Sequence, residues 1–278
     1  IGQLEVEYTD GSTQTFATDD SWKYTENTPY TFCSWYGGED YDANRATQES
    51  LQADIDSWRN AVLCTDTIGK LKAQYYQPTD VVETWHPVSI KTMSDGDYLI
   101  DFGQNFAGQY EFTLKGTKGQ TIQLWPAELL NAQGSIDQFQ IGSPVYDQYT
   151  FSGETDGETW GPTLVYHGFR YLLVKGLDKA PSVNQFIAKR IRLGVKQTGS
   201  FNCSNNLLND IHTLIVRSIA SNLYNSLTDC PHREKLGWLE VPQLLYNSLV
   251  FNFDLAAWMP KVAMDTRDSQ HDNGYVCN

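Results

Sequence analysis

The residues best suited to chemistry lie together in one short segment, residues 228–240, with the sequence TDCPHREKLGWLE. Asp229 and Arg233 can exchange paired hydrogen bonds with neighbouring hydroxyl groups. Trp238 offers a flat apolar face of the kind that stacks on the C–H face of a pyranose. Glu234, held near such a ring, can have its pKa raised and could then protonate a leaving oxygen at neutral pH. This combination favours a carbohydrate site with an acid catalyst.

The same segment also has a structural interpretation. Pro231 and Gly237 disfavour a regular helix within it, so we predict a loop, and loops on a rigid frame concentrate functional groups. Asp229 could nevertheless simply cap a helix, Trp238 could pack in the core, and the charged side chains could form surface ion pairs. Structural ion-pair networks resemble sites in composition, so composition alone favours the structural interpretation.

A helical hydrophobic pattern flanks this segment on both sides. Ser204 is a suitable N-cap for a first helix, which the spacing of the following apolar residues predicts. These residues are Leu207, Leu208, Ile211, Ile215, Ile219 and Leu223. A second helix is predicted to begin near Pro242, and a third to run over residues 254–268 with a kink or break at Pro260. The candidate segment therefore connects the first two predicted helices.

The chain before residue 200 has the period of β-strands. It should open with a hairpin, because apolar residues alternate with glutamates and Asp10-Gly11 supplies a tight turn. Between residues 71 and 200, short predicted strands such as 98–102 and 109–114 alternate with turn signals, a spacing typical of an antiparallel sandwich. Strands followed by helices indicate separate domains rather than an alternating fold.

Composition limits the partners and cofactors. The 278 residues carry a formal net charge of −14 and a pI near 4.6, and such an anionic surface disfavours nucleic acid and anionic lipid. No apolar run reaches the roughly 18 residues of a transmembrane helix, so we expect neither nucleic acid nor a membrane as a partner. The five cysteines form no CxxC pair and no zinc-type cluster with histidine. We therefore predict no metal and no cofactor.

One acidic group lies outside the candidate segment. Glu39, Asp40 and Asp42 fall in YGGEDYDAN, residues 36–44. A calcium or sugar site is one interpretation, but the spacing differs from that of an EF-hand. We therefore predict a solvated turn.

Four stretches of the chain resemble one enzyme family, in the same order. DCPHREKLGW, residues 229–238, resembles the signature of the glycoside hydrolase family 78 α-L-rhamnosidases, a DCPQR-type run followed by an acidic residue and LGW. YGGEDYDAN, DFGQNFAG at 101–108 and YHGFRYLLVKG at 166–176 resemble the β domains of that family. The resemblance covers nearly the whole chain and tips the balance towards a functional interpretation of residues 228–240.

The resemblance implies a multidomain fold that is β first and then α. Antiparallel β-sandwich domains would precede the first helices of an (α/α)6 barrel that continues beyond residue 278. The corresponding domains are a partial N-terminal β accessory domain over residues 1–70, a β-sandwich domain over 71–200 and the start of the catalytic barrel over 201–278.

The resemblance also assigns roles within the motif. Glu234 would be the general acid of an inverting α-L-rhamnosidase. Asp229 and Arg233 would hold rhamnose hydroxyls, and Trp238 would form the sugar platform.

Two further candidate substrate ligands match the family less closely. Glu240 lies near another acidic position of the family but at a different spacing, and His232 stands where many members have Gln. The run is also one residue shorter between Arg233 and Glu234, and GWLEVPQ replaces the more usual GWTGDAQ. These differences indicate a divergent branch and leave the substrate preference open.

The function that the resemblance implies is that of a secreted glycosidase, without cofactor, acting on a rhamnose-containing plant oligosaccharide or glycoside. The general base of the family is a glutamate farther along the barrel, so residues 1–278 alone should be nearly inactive. One alternative is a non-catalytic carbohydrate-binding module, which the aromatic-rich β region would suit. A second is a lyase acting on rhamnosyl-uronate glycans with His232 as acid or base, and a third is a purely structural module.

Overall fold

The computed structural model describes residues 2–45, 55–64, 72–141 and 144–276, and sixteen β-strands lie in this part of the chain. They are β1 (Gln3–Glu7), β2 (Thr13–Ala17), β3 (Lys23–Tyr24), β4 (Tyr30–Ser34), β5 (Gly38–Asp42), β6 (Arg59–Asn60), β7 (Thr79–Trp85), β8 (Ser89–Thr92), β9 (Tyr98–Leu114), β10 (Thr121–Ala127), β11 (Leu129–Leu130), β12 (Ile136–Asp137), β13 (Asp147–Thr150), β14 (Glu158–Trp160), β15 (His167–Lys175) and β16 (Phe186–Leu193). The α-helices are α1 (Asn206–Asn222), α2 (Glu240–Leu244), α3 (Tyr246–Asn252) and α4 (Trp258–Asp268). Single 3₁₀ turns occupy Ile55–Ser57, Phe139–Ile141 and Val183–Gln185.

The first of two compact units comprises Ile1–Pro29 and Ala43–Ala73. In it, β1 and β2 form an antiparallel hairpin with Leu4 opposite Phe16. Gly11 in the connecting turn has a φ of 80°, a conformation that favours glycine. The predicted hairpin is confirmed. Strands β3 and β6 form a separate two-stranded sheet.

The second unit comprises Tyr30–Asp42 and Gln74–Asn278 and contains a ten-stranded sheet. Eight strands follow the order β4-β5-β13-β10-β15-β9-β16-β7, and β8 and β14 also pair with β9. The pairing is antiparallel except between β5 and β13, which run parallel. The hairpin of β4 and β5 therefore extends the large sheet, although in sequence it interrupts the first unit.

Strand β9 organises this sheet because it is long enough for four partners. Its first residues pair with β8 and β15, and its last residues pair with β16 and β14. The sequence predicts two strands here, over residues 98–102 and 109–114. The structure joins them because pairing with β15 resumes at Phe106, after a register shift at Arg170 and a φ of 81° at Gly103.

The core of the sheet is aromatic. Phe106, Tyr110 and Phe169 are fully buried, and the Phe106 and Phe169 rings lie 4.4 Å apart between centroids. Along residues 108–114, buried side chains alternate with more exposed ones, the period of a strand with one covered face. Each fully buried aromatic or aliphatic side chain contributes about 1.5–3 kcal/mol. Burial of these side chains therefore stabilises the centre of the sheet around β9 and β15.

The N-cap of helix α1 lies one residue later than predicted. Asn205, not Ser204, is the N-cap, and its side chain accepts a hydrogen bond from the Leu207 N–H. The apolar stripe of α1 is exposed near its start, whereas Ile219 in its last turns is buried. There it shares an apolar core with residues of α3 and α4, including Trp258. The end of α1 is therefore its firmly packed part.

The other predicted helices differ in detail. The second consists of two short helices, α2 and α3, and α2 begins at Glu240, so Pro242 lies in its first turn. The predicted kink at Pro260 is wrong. Pro260 lies in the first turn of α4, where helical N–H groups have no intrahelical acceptor and proline fits. Within the described residues, no helix has both the length and the apolar character needed to cross a membrane.

Candidate active site

Residues 228–239 lie in the loop that connects α1 to α2, as predicted, and Glu240 is the first residue of α2. The Thr228 N–H donates to the Asn222 carbonyl at 2.9 Å, and its hydroxyl donates to the Asn222 side chain at 2.9 Å. Leu223 and Leu227 form an antiparallel bridge beside these bonds, and both are buried. The loop therefore starts from the packed end of α1.

Asp229 closes the loop on itself. Its N–H donates to the Leu236 carbonyl at 3.1 Å, and its Oδ1 accepts from the Leu236 N–H at 3.1 Å. Within the closed loop, the Glu234 N–H donates to Cys230 Sγ at 3.1 Å. These bonds fix the backbone on both sides of Glu234.

Two side chains of the loop face inward. His232 is 5% exposed, and its Nδ1 accepts a hydrogen bond from the Gly168 N–H at 3.3 Å. Burial lowers the pKa of His232 to about 3, and the nearby His167 and Lys235 add to the effect. Lys235 is 7% exposed, and its Nζ donates to the Trp35 carbonyl at 2.8 Å and the Tyr166 carbonyl at 2.7 Å. The loop is therefore fastened to the sheet at residues 232 and 235.

The side chains next to His232 and Lys235 in the loop face outward. Arg233 and Glu234 are exposed, and Trp238 is half-buried. The carboxyl groups of Glu234 and Asp229 interact. Burial acts to raise the pKa of Asp229, but the Leu236 N–H and the interaction with Glu234 outweigh it and hold this pKa below its usual range. The loop thus presents two adjacent carboxyl groups, of which Asp229 is held as the carboxylate.

A cavity of about 350 Å³ lies beside Asp229. Its walls come from α1, with Ile215 and Ser218, and from Val241 at the start of α2. A mixed apolar and polar wall with a carboxylate at one side suits a sugar ring, which has apolar C–H faces and polar hydroxyls.

Of the six predicted site residues, the structure places the carboxyl groups of Asp229 and Glu234 close enough to interact. Glu240 lies apart from them on the chain, exposed in the first turn of α2. His232 lies on the side of the loop that faces the sheet. The substrate roles of all six, Arg233 and Trp238 included, stay predictions.

Sequence reasoning missed Lys235 as a site residue. A lysine within a charged run is ordinarily a solvated surface residue, and its interaction partners lie 69 and 200 positions away in the chain. The resemblance of residues 229–238 to the family signature identifies the segment that contains Lys235. It does not show which side chains of that segment face inward.

The acidic group of residues 39–42 belongs to strand β5, so the predicted solvated turn is wrong. Glu39 is fully buried, and its carboxylate accepts hydrogen bonds from the N–H groups of Thr163 and Leu164 at 2.7–3.3 Å. Burial raises the pKa of Glu39, against the lowering effect of these bonds. Across the described residues, no group of three or more His, Cys, Asp or Glu side chains could hold a metal ion.

Three family descriptions match the chain in succession. The α-L-rhamnosidase N-terminal domain matches residues 1–83, the bacterial α-L-rhamnosidase concanavalin-like domain matches residues 91–192, and the bacterial α-L-rhamnosidase six-hairpin glycosidase domain matches residues 196–278. The predicted fold class, β domains followed by the first helices of a barrel-type glycosidase domain, is confirmed.

Individual relatives agree with these matches. An α-L-rhamnosidase of Formosa agariphila is 31% identical over 272 residues, which are 95% of this chain and 28% of the relative. The structure of the Dictyoglumus thermophilum α-L-rhamnosidase aligns with a TM-score of 0.91 and 34% identity over 99% of this chain and 31% of that one. The Streptomyces avermitilis α-L-rhamnosidase complexed with L-rhamnose aligns with a TM-score of 0.90 and 27% identity, over 99% of this chain and 27% of that one.

The chain thus spans less than a third of the length of these relatives. Within that span, the matches run from end to end of the sequence and include the loop with the two carboxyl groups. The chain therefore belongs to the α-L-rhamnosidases of glycoside hydrolase family 78, with stretches that match their N-terminal, concanavalin-like and six-hairpin glycosidase domains.

Proposed function

We propose that the chain is part of an inverting α-L-rhamnosidase that removes terminal α-L-rhamnosyl residues from plant glycans or glycosides, with Glu234 as general acid. The observation that carries this proposal is the neighbouring pair of carboxyl groups, Asp229 and Glu234, on a loop where Asp229 lines a cavity. Asp229 is held as the carboxylate by its low pKa. We therefore assign Glu234, whose side chain is exposed, as the group that delivers a proton to a leaving oxygen.

The other outward side chains would bind the sugar. Asp229 and Arg233 would hold hydroxyls of the rhamnosyl residue, and Trp238 would stack on its apolar face. The rhamnose in the Streptomyces avermitilis structure and the names of the relatives support this choice of sugar. Glu240 stays a weaker candidate for a substrate contact, and export from the cell stays a prediction.

The partner of the acid would come from outside the described loop. An inverting glycosidase separates its two carboxyl groups by roughly 6.5–9.5 Å, so that a water molecule fits beneath the sugar. Asp229 lies on the same short loop as the acid and interacts with its carboxyl group, which leaves no room for that water molecule, so Asp229 is unsuited to be the base. The base would lie elsewhere in the complete protein, and residues 1–278 alone should release little rhamnose.

The lyase alternative is disfavoured by the position of His232. A histidine that removes or delivers a proton must reach the substrate. His232 is buried, and its Nδ1 already accepts a backbone hydrogen bond. We therefore assign His232 a packing role rather than the substrate contact that the resemblance suggests.

The experiment is Glu234→Gln in the complete protein, assayed on two rhamnosides with different leaving groups. General acid catalysis contributes about 10²–10⁴-fold, so hydrolysis of an alkyl or flavonoid rhamnoside should fall by that factor. A dinitrophenyl rhamnoside needs no protonation of its leaving group and should react at nearly the wild-type rate in the bond-breaking step. Glu154→Gln, at an exposed glutamate after β13, is the matched control and should leave both rates unchanged.

Wild-type rates of Glu234→Gln on the flavonoid rhamnoside would remove Glu234 from the role. Proton NMR of the first product tests the stereochemistry separately. Release of β-L-rhamnose supports inversion, and initial release of the α-anomer would exclude it.

A further inference from the structure

Lys235 directly follows the proposed acid and has an unusual backbone conformation. Its φ is 54°, and among the described residues it is the one non-glycine residue with a positive φ. This left-handed conformation is unfavourable by roughly 1–2 kcal/mol for a residue with a side chain. Strained backbone concentrates at functional sites, so this conformation points to a role for Lys235.

The ammonium group of Lys235 joins the loop to two separate parts of the sheet. One acceptor is the carbonyl of Trp35, in the turn between β4 and β5, and the other is the carbonyl of Tyr166, just before β15. The nitrogen also lies 4.6 Å from the centre of the Tyr166 ring and 5.1 Å from that of Trp35, within the range of cation–π attraction. Both acceptors are backbone groups, so the strands rather than flexible side chains set their positions.

A lysine at this position is not explained by stability. Burial lowers the pKa of Lys235 to about 8, although Asp147 and Cys230 act in the opposite direction. Replacing buried charges by apolar side chains of similar volume is often neutral or stabilising. A methionine would fill the same space without desolvation of a charge, but it could not connect the two carbonyl oxygens.

The second anchor lies on the other side of the acid. His232 accepts from the Gly168 N–H, next to the start of β15. Residues 232 and 235 are therefore both held against the sheet, and the exposed residues Arg233 and Glu234 lie between them. The left-handed φ of Lys235 lies between the outward side chain of Glu234 and Leu236, whose N–H donates to Asp229.

We propose that Lys235 is a positioning residue for Glu234, and that its two carbonyl contacts fix the loop backbone so that the acid meets Asp229. The role of Glu234 in this inference rests on the proposed function. The contacts of Lys235 with the two carbonyl groups do not depend on it. A displacement of about 1 Å in a reacting group can lower a rate about 10²-fold. Loss of the anchor should therefore impair proton delivery more than it impairs binding or folding.

The test is Lys235→Met in the complete protein, assayed on the flavonoid and dinitrophenyl rhamnosides. The rate on the flavonoid rhamnoside should fall about 10²-fold, and the ratio of the two rates should fall at least about tenfold. Lys235→Arg keeps the charge and several donors, so it should recover most of that ratio. The ratio does not depend on how much enzyme is folded, so it stays informative if the methionine variant is unstable.

An equal loss on both substrates, or no loss on either, would overturn the proposal, because a merely structural defect lowers both rates together. Hydrogen exchange gives a readout that needs no activity. Lys235→Met should speed exchange of the Leu236 amide, which donates to Asp229, and unchanged exchange counts against the anchor. If exchange responds while Glu234→Gln leaves the rate ratio unchanged, the anchor stands and the assigned acid is wrong.

Discussion

Replacement of His232 by Gln should make the fold less sensitive to acid. In the folded chain the ring accepts the Gly168 N–H at Nδ1, which leaves its proton on Nε2 and the ring neutral. Burial is the main reason that the pKa of His232 falls to about 3, from an ordinary value of 6.5. A glutamine amide oxygen can accept the same N–H without titrating. Gln is also the residue of the DCPQR-type run that the chain resembles.

The magnitude follows from proton linkage. The folded pKa is depressed, so between about pH 3 and 6.5 the unfolded chain binds a proton that the folded chain does not. The stability due to neutral His232 is complete above pH 6.5 and is lost as the pH falls towards 3. Between pH 7.5 and 5.0 the loss is about 2 kcal/mol. This value hardly changes if the folded pKa is one unit higher, because pH 5.0 lies above both values.

The assay is urea unfolding of the wild-type chain and His232→Gln at pH 7.5 and 5.0, followed by far-ultraviolet circular dichroism. The wild type should lose about 2 kcal/mol more than the variant between the two pH values. The other titrating groups are common to both proteins, so their contributions cancel in this comparison.

Two results would refute the reasoning. One is a pH dependence that agrees between the two proteins to within about 0.5 kcal/mol, well below the linkage value. The other is an NMR titration in which the His232 ring of the folded chain protonates near pH 6.5, the ordinary value.

Two further predictions concern the sheet. Glu158→Gln should lower the free energy of unfolding by about 2–3 kcal/mol, because the buried carboxylate accepts hydrogen bonds from the Tyr149 hydroxyl and three backbone N–H groups. A thermal melting temperature that shifts by less than about 1 °C would contradict this. Gly38→Ala should lower it by about 3 kcal/mol or more, because φ is 121° and the new Cβ would lie 2.0 Å from the Tyr146 carbonyl oxygen. Gly96→Ala, with a similar φ of 90° but open space around its Cβ, is the control and should lose distinctly less in urea unfolding.

The sequence predicted those features of the fold that depend on near neighbours. The first hairpin needs only alternation and an Asp10-Gly11 turn, and α1 needs only apolar spacing and an N-cap. The features that it did not predict depend on distant partners. The sequence predicts a turn where strand β5 lies, because the partners of Glu39, the N–H groups of Thr163 and Leu164, are more than 120 residues away.

The candidate site divides in the same way. Residue types identified the segment around Asp229 and Glu234, because acids, an arginine and an indole in one loop suit a sugar. They did not reveal which side chains face inward. That depends on the left-handed backbone of Lys235 and on carbonyl groups of the sheet, neither of which leaves a pattern in the local sequence.

The contacts of Lys235 and His232 with the sheet make the sheet part of the scaffold of the site rather than a separate accessory domain. The loop with the two carboxyl groups is held by the turn after β4, by the start of β15 and by the end of α1. Removal of the turn after β4, or of the segment that leads into β15, would leave Lys235 as a buried cation without one of its two acceptors, a state that favours a different loop conformation. It follows that the barrel helices alone would present Glu234 and Asp229 less accurately than the same helices attached to the sheet. The sheet and the helices accordingly fall within one compact unit.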